Sequence, residues 1–581
     1  MGNLLFSLCV VSLLLSQSTS TPPQDPIQCT SPHNTNCTVT NSYGIFPDRS
    51  TCRASSAAFP ATEDELIAVV ANATRAQRKM KVATQSSHSI AKLVCPDGGD
   101  GLLISTKLLD RVLAVDKAAM TATVESGVTL RELIEAAAGA GLALPYAPYW
   151  WGLTVGGMLG TGAHGSSLWG EGSAVHDYVA EMTVVSPGAA EEGYVKVRTL
   201  KEGDGELNAA KVSLGVLGVI YKVTLKLQPM FKRSVTYVVR NDTKFGDETT
   251  TFGLQHEFAD FTWYPSQRQV IYRIDDRVPS NTSGNGLYDY FPFRSTPSLL
   301  LAGVRIAEEA QEYLKHADGK CAGGKLTTAT LRATSFGLTN NDYIFTGYPV
   351  VGYHNRLQSS GTCLDSPNDG LITACPWDSR IRGEFFHQTT FSLDLSVTKD
   401  FVRDVQTLVA LDPESLCVLD LYNGILMRYV TGSSAYLGKQ GDALDFDITY
   451  YRSEDPKAPR MFEDVLEEIE QMAVFKYGAL PHWGKNRNVA FAGAIARYEN
   501  GAEFLKVKEE YDPLGLFSSE WTDQILGLRD GLTILGEGCA LEGLCVCSED
   551  SHCAPEEGYF CRSGKVYKEA RVCRYEEVSG V

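Results

Sequence analysis

A glycine-rich segment between Thr154 and Ser167 has the composition of a site for an anionic ligand. It reads TVGGMLGTGAHGSS and holds five glycines in fourteen residues. Glycine lets the backbone approach a ligand closely, and exposed N–H groups in such a segment can form a nest for the oxygens of a diphosphate. The structural alternative is a turn-rich loop without a ligand. The spacing matches neither the phosphate-binding loop nor the Rossmann glycine pattern.

Two further segments carry side chains that are suited to catalysis. One is QSSHS at 85–89, which follows a predicted strand at 80–84, and the other is PHWGK at 481–485, which follows a turn. Histidine and lysine are common proton carriers and electrostatic catalysts in active sites. The alternatives are a buried histidine that is hydrogen-bonded within its loop, ordinary packing of His482 and Trp483, and a lysine on the surface.

The elements around these segments predict an α+β fold. Capping boxes at 62–65 and 129–132 predict two helices, and short strands are predicted at 80–84, 102–105, 112–115, 122–128 and 221–227. Because no strand–helix–strand rhythm is present, a doubly wound sheet is not expected. Residues 462–475 have the spacing of an amphipathic helix whose apolar face packs into a core.

The N-terminus and the cysteines indicate export. An apolar run at 4–15 is too short to span a bilayer and predicts a secretory signal peptide at 1–20. Six cysteines crowd the tail and predict a disulfide-stapled module, with a zinc site as the alternative. They are Cys539, Cys545, Cys547, Cys553, Cys561 and Cys573. Four glycosylation sequons begin at Asn36, Asn72, Asn241 and Asn281. The expected destination is the extracellular space (the apoplast) or the vacuole.

The charge balance argues against nucleic acid as a partner. The chain has 52 Lys and Arg against 70 Asp and Glu, a formal net charge of −18. Such a chain repels phosphate backbones, and solubility is the simplest reason for the excess of acid. No membrane span and no metal site are predicted.

Five motifs in a fixed order resemble the vanillyl-alcohol oxidase flavoprotein family. They are SHS at 87–89, the glycine-rich segment at 154–167, SLGVLGVI at 213–220, PHWGK at 481–485 and DPLGLF at 512–517. Within that family the chain is most similar to the aldonolactone oxidoreductases, in particular the plant L-gulonolactone oxidase-like proteins.

The resemblance implies a domain organisation. It places an FAD-binding domain of the PCMH type, built from two α+β subdomains, at 48–230 and a cap domain for the substrate at 231–475. A segment at 476–527 returns to the FAD-binding domain. The irregular leader at 21–47 and the cysteine-rich tail at 528–581 lie outside the resemblance.

The resemblance also implies which residues contact FAD. In many members a histidine of the first loop is bonded covalently to the flavin 8α carbon, and His88 holds that position, although serines replace the usual glycines before it. The implied contacts are Gln85, Ser86, Ser87, His88, Ser89, Gly156, Gly157, Gly160, Thr161, Gly162, His164, Ser166, Gly218, Val219 and Lys485.

The implied catalytic residues are Lys485, Arg428 and His482. Lys485 would place its ammonium near flavin N1 and the C2 carbonyl, where negative charge builds during hydride transfer. Relatives carry Glu-x-Arg on a strand of the cap; Arg428 matches the arginine, but Leu426 replaces the carboxylate. Pro148 matches a gate position where proline accompanies the use of oxygen.

The resulting prediction is an FAD-dependent oxidase of a sugar lactone. L-Gulono-1,4-lactone and molecular oxygen would give L-ascorbate and hydrogen peroxide. An oxidase of another sugar or alcohol is the alternative that Leu426 suggests. A secreted, non-catalytic flavoprotein or binding protein is the alternative from a different class.

Overall fold

The computed structural model describes residues 25–41, 52–87, 89–97, 99–365 and 372–577, except the Phe386 side chain. The predicted signal peptide and His88 lie outside the described residues. The prediction of an α+β fold is confirmed.

Twelve strands build the N-terminal part of the described chain. They are β1 (Ile27–Cys29), β2 (Thr35–Val39), β3 (Cys52–Ala58), β4 (Met80–Ala83), β5 (Leu102–Ser105), β6 (Val112–Asp116), β7 (Thr121–Glu125), β8 (Leu142–Ala143), β9 (Val179–Pro187), β10 (Val195–Lys201), β11 (Val219–Lys226) and β12 (Gln228–Pro229). One sheet has the order β1-β2-β3-β5-β4 and a second has the order β10-β9-β11-β7-β6. The predicted irregular leader therefore contains two strands. They extend a sheet edge and are joined by the Cys29–Cys37 disulfide, which local composition does not reveal.

A second set of strands starts at Lys232. It comprises β13 (Lys232–Asn241), β14 (Asp260–Tyr264), β15 (Gln269–Val278), β16 (Leu287–Tyr288), β17 (Thr296–Pro297), β18 (Leu338–Thr339), β19 (Val350–Tyr353), β20 (Thr373–Ala374), β21 (Phe385–Asp394), β22 (Ile425–Val430), β23 (Ala443–Arg452) and β24 (Leu480–Pro481). Eight of them form one sheet, here called the cap sheet, in the order β19-β13-β15-β14-β22-β23-β21-β24.

The helices lie between and around these sheets. They are α1 (Glu63–Arg75), α2 (Leu130–Gly139), α3 (Val155–Thr161), α4 (Gly205–Ala210), α5 (Phe245–Glu248), α6 (Phe252–Gln255), α7 (Ser298–Tyr313), α8 (Ala317–Ala333), α9 (His354–Leu357), α10 (Leu395–Leu411), α11 (Cys417–Tyr422), α12 (Glu463–Gln471), α13 (Gly501–Tyr511) and α14 (Glu520–Ile525). Thr62 caps the N-terminus of helix α1, where its side chain accepts from the Glu65 amide, and α2 begins with the predicted capping box. Among the described residues, no helix has both the length and the apolar character that crossing a membrane requires.

The cap sheet has two unlike faces. Phe261, Met427 and Phe446 lie on one face, where they form a core with α10 and α12. Because side chains alternate along a strand, the residues between them face the other way, and many of these are polar. Two examples are Arg428 and Asp447, both of which are buried. A buried polar face on a central sheet is costly unless its groups are paired or serve a ligand.

The last part of the chain connects both halves. Trp483, Phe491, Phe504 and Trp521 are buried in the core of the N-terminal sheets, so the segment after the cap sheet returns there. The tail then forms the hairpin β25 (Tyr559–Ser563) and β26 (Arg571–Tyr575). Its disulfides join Cys539–Cys545, Cys547–Cys561 and Cys553–Cys573. The disulfide prediction for the tail is confirmed, because bonded cysteines have no free thiolate for zinc.

Candidate active site

A large cavity runs from helix α3 in the N-terminal half to the polar face of the cap sheet. Most of the residues predicted from the sequence line it, together with Pro148. They are Ser87, Ser89, Gly156, Gly157, Gly160, Thr161, His164, Gly218, Arg428, His482 and Lys485. Segments that lie far apart in the sequence therefore share one cavity wall.

Five predicted residues do not line the cavity. Gln85 is exposed, and its neighbour Ser86 is half-buried. Gly162 ends α3 in the left-handed conformation. The Ser166 hydroxyl donates to a backbone carbonyl and accepts from the Tyr429 amide at 2.9 Å, so it is used in joining the two halves. The Val219 side chain is fully buried in a core.

The first half of the glycine-rich segment is a short helix rather than a loop. Residues 155–161 form α3, and the Thr154 hydroxyl accepts the Gly157 amide at 3.3 Å. A Cβ atom on Gly156 would lie 3.0 Å from the Cβ of Ser126, so glycine allows the helix to pack against the neighbouring sheet. At Gly218 a Cβ atom would lie 2.4 Å from the Val185 carbonyl oxygen and the φ angle is +123°, which excludes other residues.

The PHWGK segment is fixed between the two halves of the molecule. Trp483 stacks on Tyr498 with ring centroids 5.4 Å apart. The Gly484 carbonyl accepts from the Ile90 amide at 3.2 Å, which ties the segment to the first loop. Trp483 packs in the core and so fixes the segment, while His482 before it and Lys485 after it line the cavity.

Two cations share one carboxylate on the cavity wall. The Lys485 ammonium lies 3.1 Å from Asp447, and the Arg428 guanidinium lies 2.5 Å from the other oxygen of the same carboxylate. Thr390 also donates to Asp447, and Gln388 does so at 3.3 Å. Burial raises the pKa of Asp447, but the charges of Arg428 and Lys485 outweigh burial and hold that pKa well below its usual range. Asp447 is therefore a poor base, and its geometry suits it to hold the two cations in place.

His482 is a neutral hydrogen-bonding group in this wall. Burial, followed by the charge of Lys485, holds the pKa of His482 well below its usual value. Its Nδ1 atom accepts from the Gly484 amide at 3.1 Å, so the neutral ring carries its proton on Nε2. His482 can therefore donate a hydrogen bond, but it is not placed to act as a base through Nε2.

His164 lines the cavity, but its ring nitrogens are both engaged within the protein. Nε2 lies 2.6 Å from Asp445, and Nδ1 lies 2.8 Å from the Gly165 carbonyl oxygen. Ser392 also donates to Asp445. His164 thus joins the N-terminal half to the cap sheet, and its side chain does not have a ring nitrogen left for a cofactor.

Asp447 is a site residue that the sequence did not predict. It is the register partner of Leu426 on the adjacent strand β22, and both side chains line the cavity. A carboxylate is therefore present beside position 426, on the adjacent strand. The available signal was the pattern LDFDITYY at 444–451, where acidic residues alternate with apolar ones in a strand that proves to be central.

Comparison with known proteins identifies the family. An FAD binding domain model matches residues 54–190, a D-arabinono-1,4-lactone oxidase model matches 377–525 and an L-gulonolactone oxidase 2-like C-terminal domain model matches 536–575. Probable L-gulonolactone oxidase 6 of Arabidopsis thaliana is 67% identical over 578 residues, which are 99% of this chain and 96% of that protein. The chain belongs to the aldonolactone oxidase family.

Other members of the aldonolactone oxidase family are similar along most of their length. L-Gulonolactone oxidase 2 of Arabidopsis thaliana is 65% identical and covers 98% of this chain and 96% of its own. L-Gulonolactone oxidase of Mus musculus is 22% identical, over 80% of this chain and 94% of its own. The structure of a solvent-stable cholesterol oxidase has a TM-score of 0.62 at 16% identity, over 87% of this chain and 100% of that one, which shows a shared fold alone.

As an aldonolactone oxidase, the protein is an FAD-dependent oxidoreductase that uses oxygen. The cavity fits a polar cofactor, since several buried polar atoms on its wall have no hydrogen-bond partner. They are Lys81 Nζ, Ser87 Oγ, Thr106 Oγ1 and Ser126 Oγ. Unpaired buried groups are rare in native proteins, and a ligand accounts for them. Lys81, Thr106 and Ser126 were not among the residues predicted from the sequence.

Proposed function

We propose that this protein oxidises a secondary hydroxyl of L-gulono-1,4-lactone and so produces L-ascorbate. The names of its relatives support this lactone as the substrate. The CH–OH group loses two electrons and two protons and becomes a carbonyl, and oxygen gains them and becomes hydrogen peroxide. The keto-lactone then rearranges to L-ascorbate.

The observation that carries the proposal is the Arg428–Asp447–Lys485 group on the cavity wall. Bound FAD supplies the two-electron acceptor. Lys485 offers a fixed cation for the negative charge that builds during the transfer, and such preorganised charge is the main source of rate enhancement in many enzymes. Arg428 offers a second cation for the substrate oxygen. Asp447 keeps both cations in one geometry.

Two further features support an oxidase. Pro148 lines the cavity at the position where proline accompanies oxygen use in the family that the sequence resembles. His482 presents a neutral N–H donor, which can hold a hydroxyl or carbonyl oxygen without adding charge.

Anaerobic addition of L-gulono-1,4-lactone to the purified holoenzyme tests the proposal. We expect the flavin absorbance to bleach and, in air, one hydrogen peroxide to form for each oxygen consumed, with L-ascorbate identified by chromatography. Absence of bleaching with every aldonolactone tried would reject a lactone as the substrate.

We also propose that FAD is covalently attached through His88. The residues before and after it in the sequence, Ser87 and Ser89, line the cavity, which supports the proposal. After acid precipitation of the protein, the yellow colour should stay in the pellet. It should be released from the variant His88→Ala, and release from the unchanged protein would refute the attachment.

A further inference from the structure

The cavity extends along the cap sheet beyond the group that contains Arg428. Four residues lie opposite one another in the register of adjacent strands and so form one row across the sheet. They are Arg428 on β22, Asp260 on β14, Arg273 on β15 and Tyr237 on β13. All four residues line the cavity. Since adjacent strands lie about 4.8 Å apart, the row continues for roughly 14 Å past Arg428. A single lactone ring held by Lys485 and Arg428 does not fill that length.

The far end of this row is enclosed by tyrosine rings. The Arg273 guanidinium carbon lies 5.0 Å from the ring centre of Tyr288, 5.5 Å from that of Tyr149 and 5.9 Å from that of Tyr237. The guanidinium carbon of Arg428 also lies 5.8 Å from the ring centre of Tyr149, so this ring lies between Arg428 and Arg273. The cavity wall is thus aromatic at this end and charged in its centre.

A pair of buried charges lies among these rings. Arg273 is only 1% exposed; its Nε donates to Asp275 behind the cavity wall at 2.7 Å, and its Nη1 lies 3.5 Å from Asp260 on the wall. Asp260 accepts a hydrogen bond from the Tyr149 hydroxyl at 2.6 Å. Burying two charges is costly, and replacing such a pair by apolar residues is often neutral or stabilising. Their place on a cavity wall points to a ligand that hydrogen-bonds them.

The combination of rings and charges selects the chemistry of that ligand. A sugar ring has an apolar C–H face that packs on an aromatic ring and hydroxyls that both donate and accept hydrogen bonds. It can therefore contact the tyrosines while it hydrogen-bonds to Arg273 and Asp260. A purely apolar group would make no hydrogen bond to these charges and would only remove water from them, which is unfavourable.

We propose that this end of the cavity binds a second sugar ring that is attached to the lactone undergoing oxidation. We call it the second-ring pocket and define it by Tyr149, Tyr237, Asp260, Arg273 and Tyr288. The preferred substrate is then a disaccharide-derived aldonolactone. The inference rests on the proposed function, because the reaction is the same: a secondary alcohol becomes a carbonyl, and its two electrons and two protons convert oxygen to hydrogen peroxide.

The test compares kcat/KM of the holoenzyme for L-gulono-1,4-lactone and for a disaccharide lactone such as cellobiono-1,5-lactone. We expect the disaccharide lactone to be favoured by about tenfold or more, which corresponds to one or two good contacts. The variant Tyr237→Ala should reduce that preference about tenfold. The matched control is Tyr313→Ala, since Tyr313 is 88% exposed on α7 and should leave the preference unchanged.

The outcomes separate the two proposals. If neither lactone is oxidised, the proposed function fails. If the monosaccharide lactone is oxidised as well as the disaccharide lactone, or Tyr237→Ala lowers both rates equally, the second-ring pocket is refuted while the proposed function stands. Preference for an aryl-substituted lactone would also refute it. Asp260→Asn, which keeps the shape of the side chain, should likewise lower the preference and replaces Tyr237→Ala if that variant does not fold.

Discussion

The side chain of Lys485 is 18% exposed, and its ammonium lies 3.1 Å from Asp447. Replacement by methionine keeps the length of the side chain and removes the charge. We expect Lys485→Met to lower kcat about 10²- to 10³-fold, as the loss of one preorganised donor does elsewhere. We also expect weaker sulfite binding to the flavin, measured by absorbance, because the adduct adds negative charge. Lys399→Met, on the exposed surface of α10, is the control.

The same lysine predicts a pH dependence. Burial lowers the pKa of Lys485 from its ordinary value of 10.5, and Asp447 only partly opposes this. As pH rises through that lowered pKa the ammonium loses its charge, so kcat should fall on the alkaline side at a pH below 10.5. In Lys485→Arg the alkaline fall should disappear, because arginine stays protonated. A wild-type profile that is flat to pH 10.5 would contradict this assignment.

The anchoring role of Asp447 can be tested by moving its carboxylate to the adjacent strand. Asp447→Asn should lower kcat about ten- to a hundredfold, because the two cations lose their shared anchor. It should also tighten sulfite binding, since one negative charge leaves the site. Leu426 is the register partner of Asp447 and lies on the same strand and face as Arg428. The double variant Leu426→Glu with Asp447→Asn should therefore regain part of the activity. A double variant as slow as the single one would refute the anchoring role.

Lys81 predicts how FAD binding depends on pH. Burial lowers the pKa of Lys81 to about 7, and its ammonium has no hydrogen-bond partner on the cavity wall. A diphosphate would raise that pKa, so binding takes up a proton and FAD affinity should fall as pH rises above 7. Lys81→Met should weaken binding about ten- to a hundredfold and remove this dependence. Titration of FAD in a His88→Ala background keeps binding reversible; an unchanged affinity would exclude Lys81 from the FAD site.

At the scale of elements, helix α12 is buried on both of its faces, whereas the sequence predicted that only its apolar face packs against the protein. Its apolar face packs in the cap core, as the spacing at 462–475 predicts. Its polar face is buried as well, because the cysteine-rich tail covers it. Glu468 accepts the amides of Lys565, Val566 and Tyr567, each at 2.6 Å, and Glu467 accepts the Cys573 amide. An acidic helix face thus serves as a docking site for backbone donors.

The docking contact gives a prediction for the tail. Glu468→Ala removes the acceptor of three amides and should lower the free energy of docking by about 3 kcal/mol, since each buried amide loses a partner. Hydrogen exchange of the tail segment around Val566 should then become faster, with the cap sheet unaffected. Glu556→Gln, at an exposed position of the tail itself, should leave exchange unchanged. Equal exchange in Glu468→Ala and the unchanged protein would show that other contacts hold the tail.

At the scale of the whole molecule, we propose export through the secretory pathway to the apoplast or the vacuole. All fourteen described cysteines form disulfides, which persist in oxidising compartments. The four sequon asparagines, Asn36, Asn72, Asn241 and Asn281, are exposed. Expressed in plant cells with its own N-terminus, the protein should lose mass on deglycosylation, and the fourfold Asn→Gln variant should not. A product without glycans that stays in the cytosol would refute export.

The sequence predicted the structure best where the conformation depends on residues close together in the chain. The capping threonines of α1 and α2, the alternation in β11 and the ordered motifs depend on neighbouring residues. They predicted the α+β fold and a set of residues most of which line the cavity. Prediction failed where a residue's conformation depends on a contact with a residue far away in the sequence. The helix α3 was predicted as a loop because its glycines disfavour a helix locally, whereas at Gly156 the close packing against Ser126 leaves little room for a side chain.

The sequence by itself determined the family and the cofactor, because these follow from motifs of adjacent residues, and the resemblance to that family predicted Arg428 and Lys485 as site residues. Only the tertiary structure showed that Asp447 joins the two cations and that Asp260 and Arg273 continue the same row. Strand register sets these contacts, and it depends on how the whole cap sheet pairs, so no short stretch of sequence specifies it.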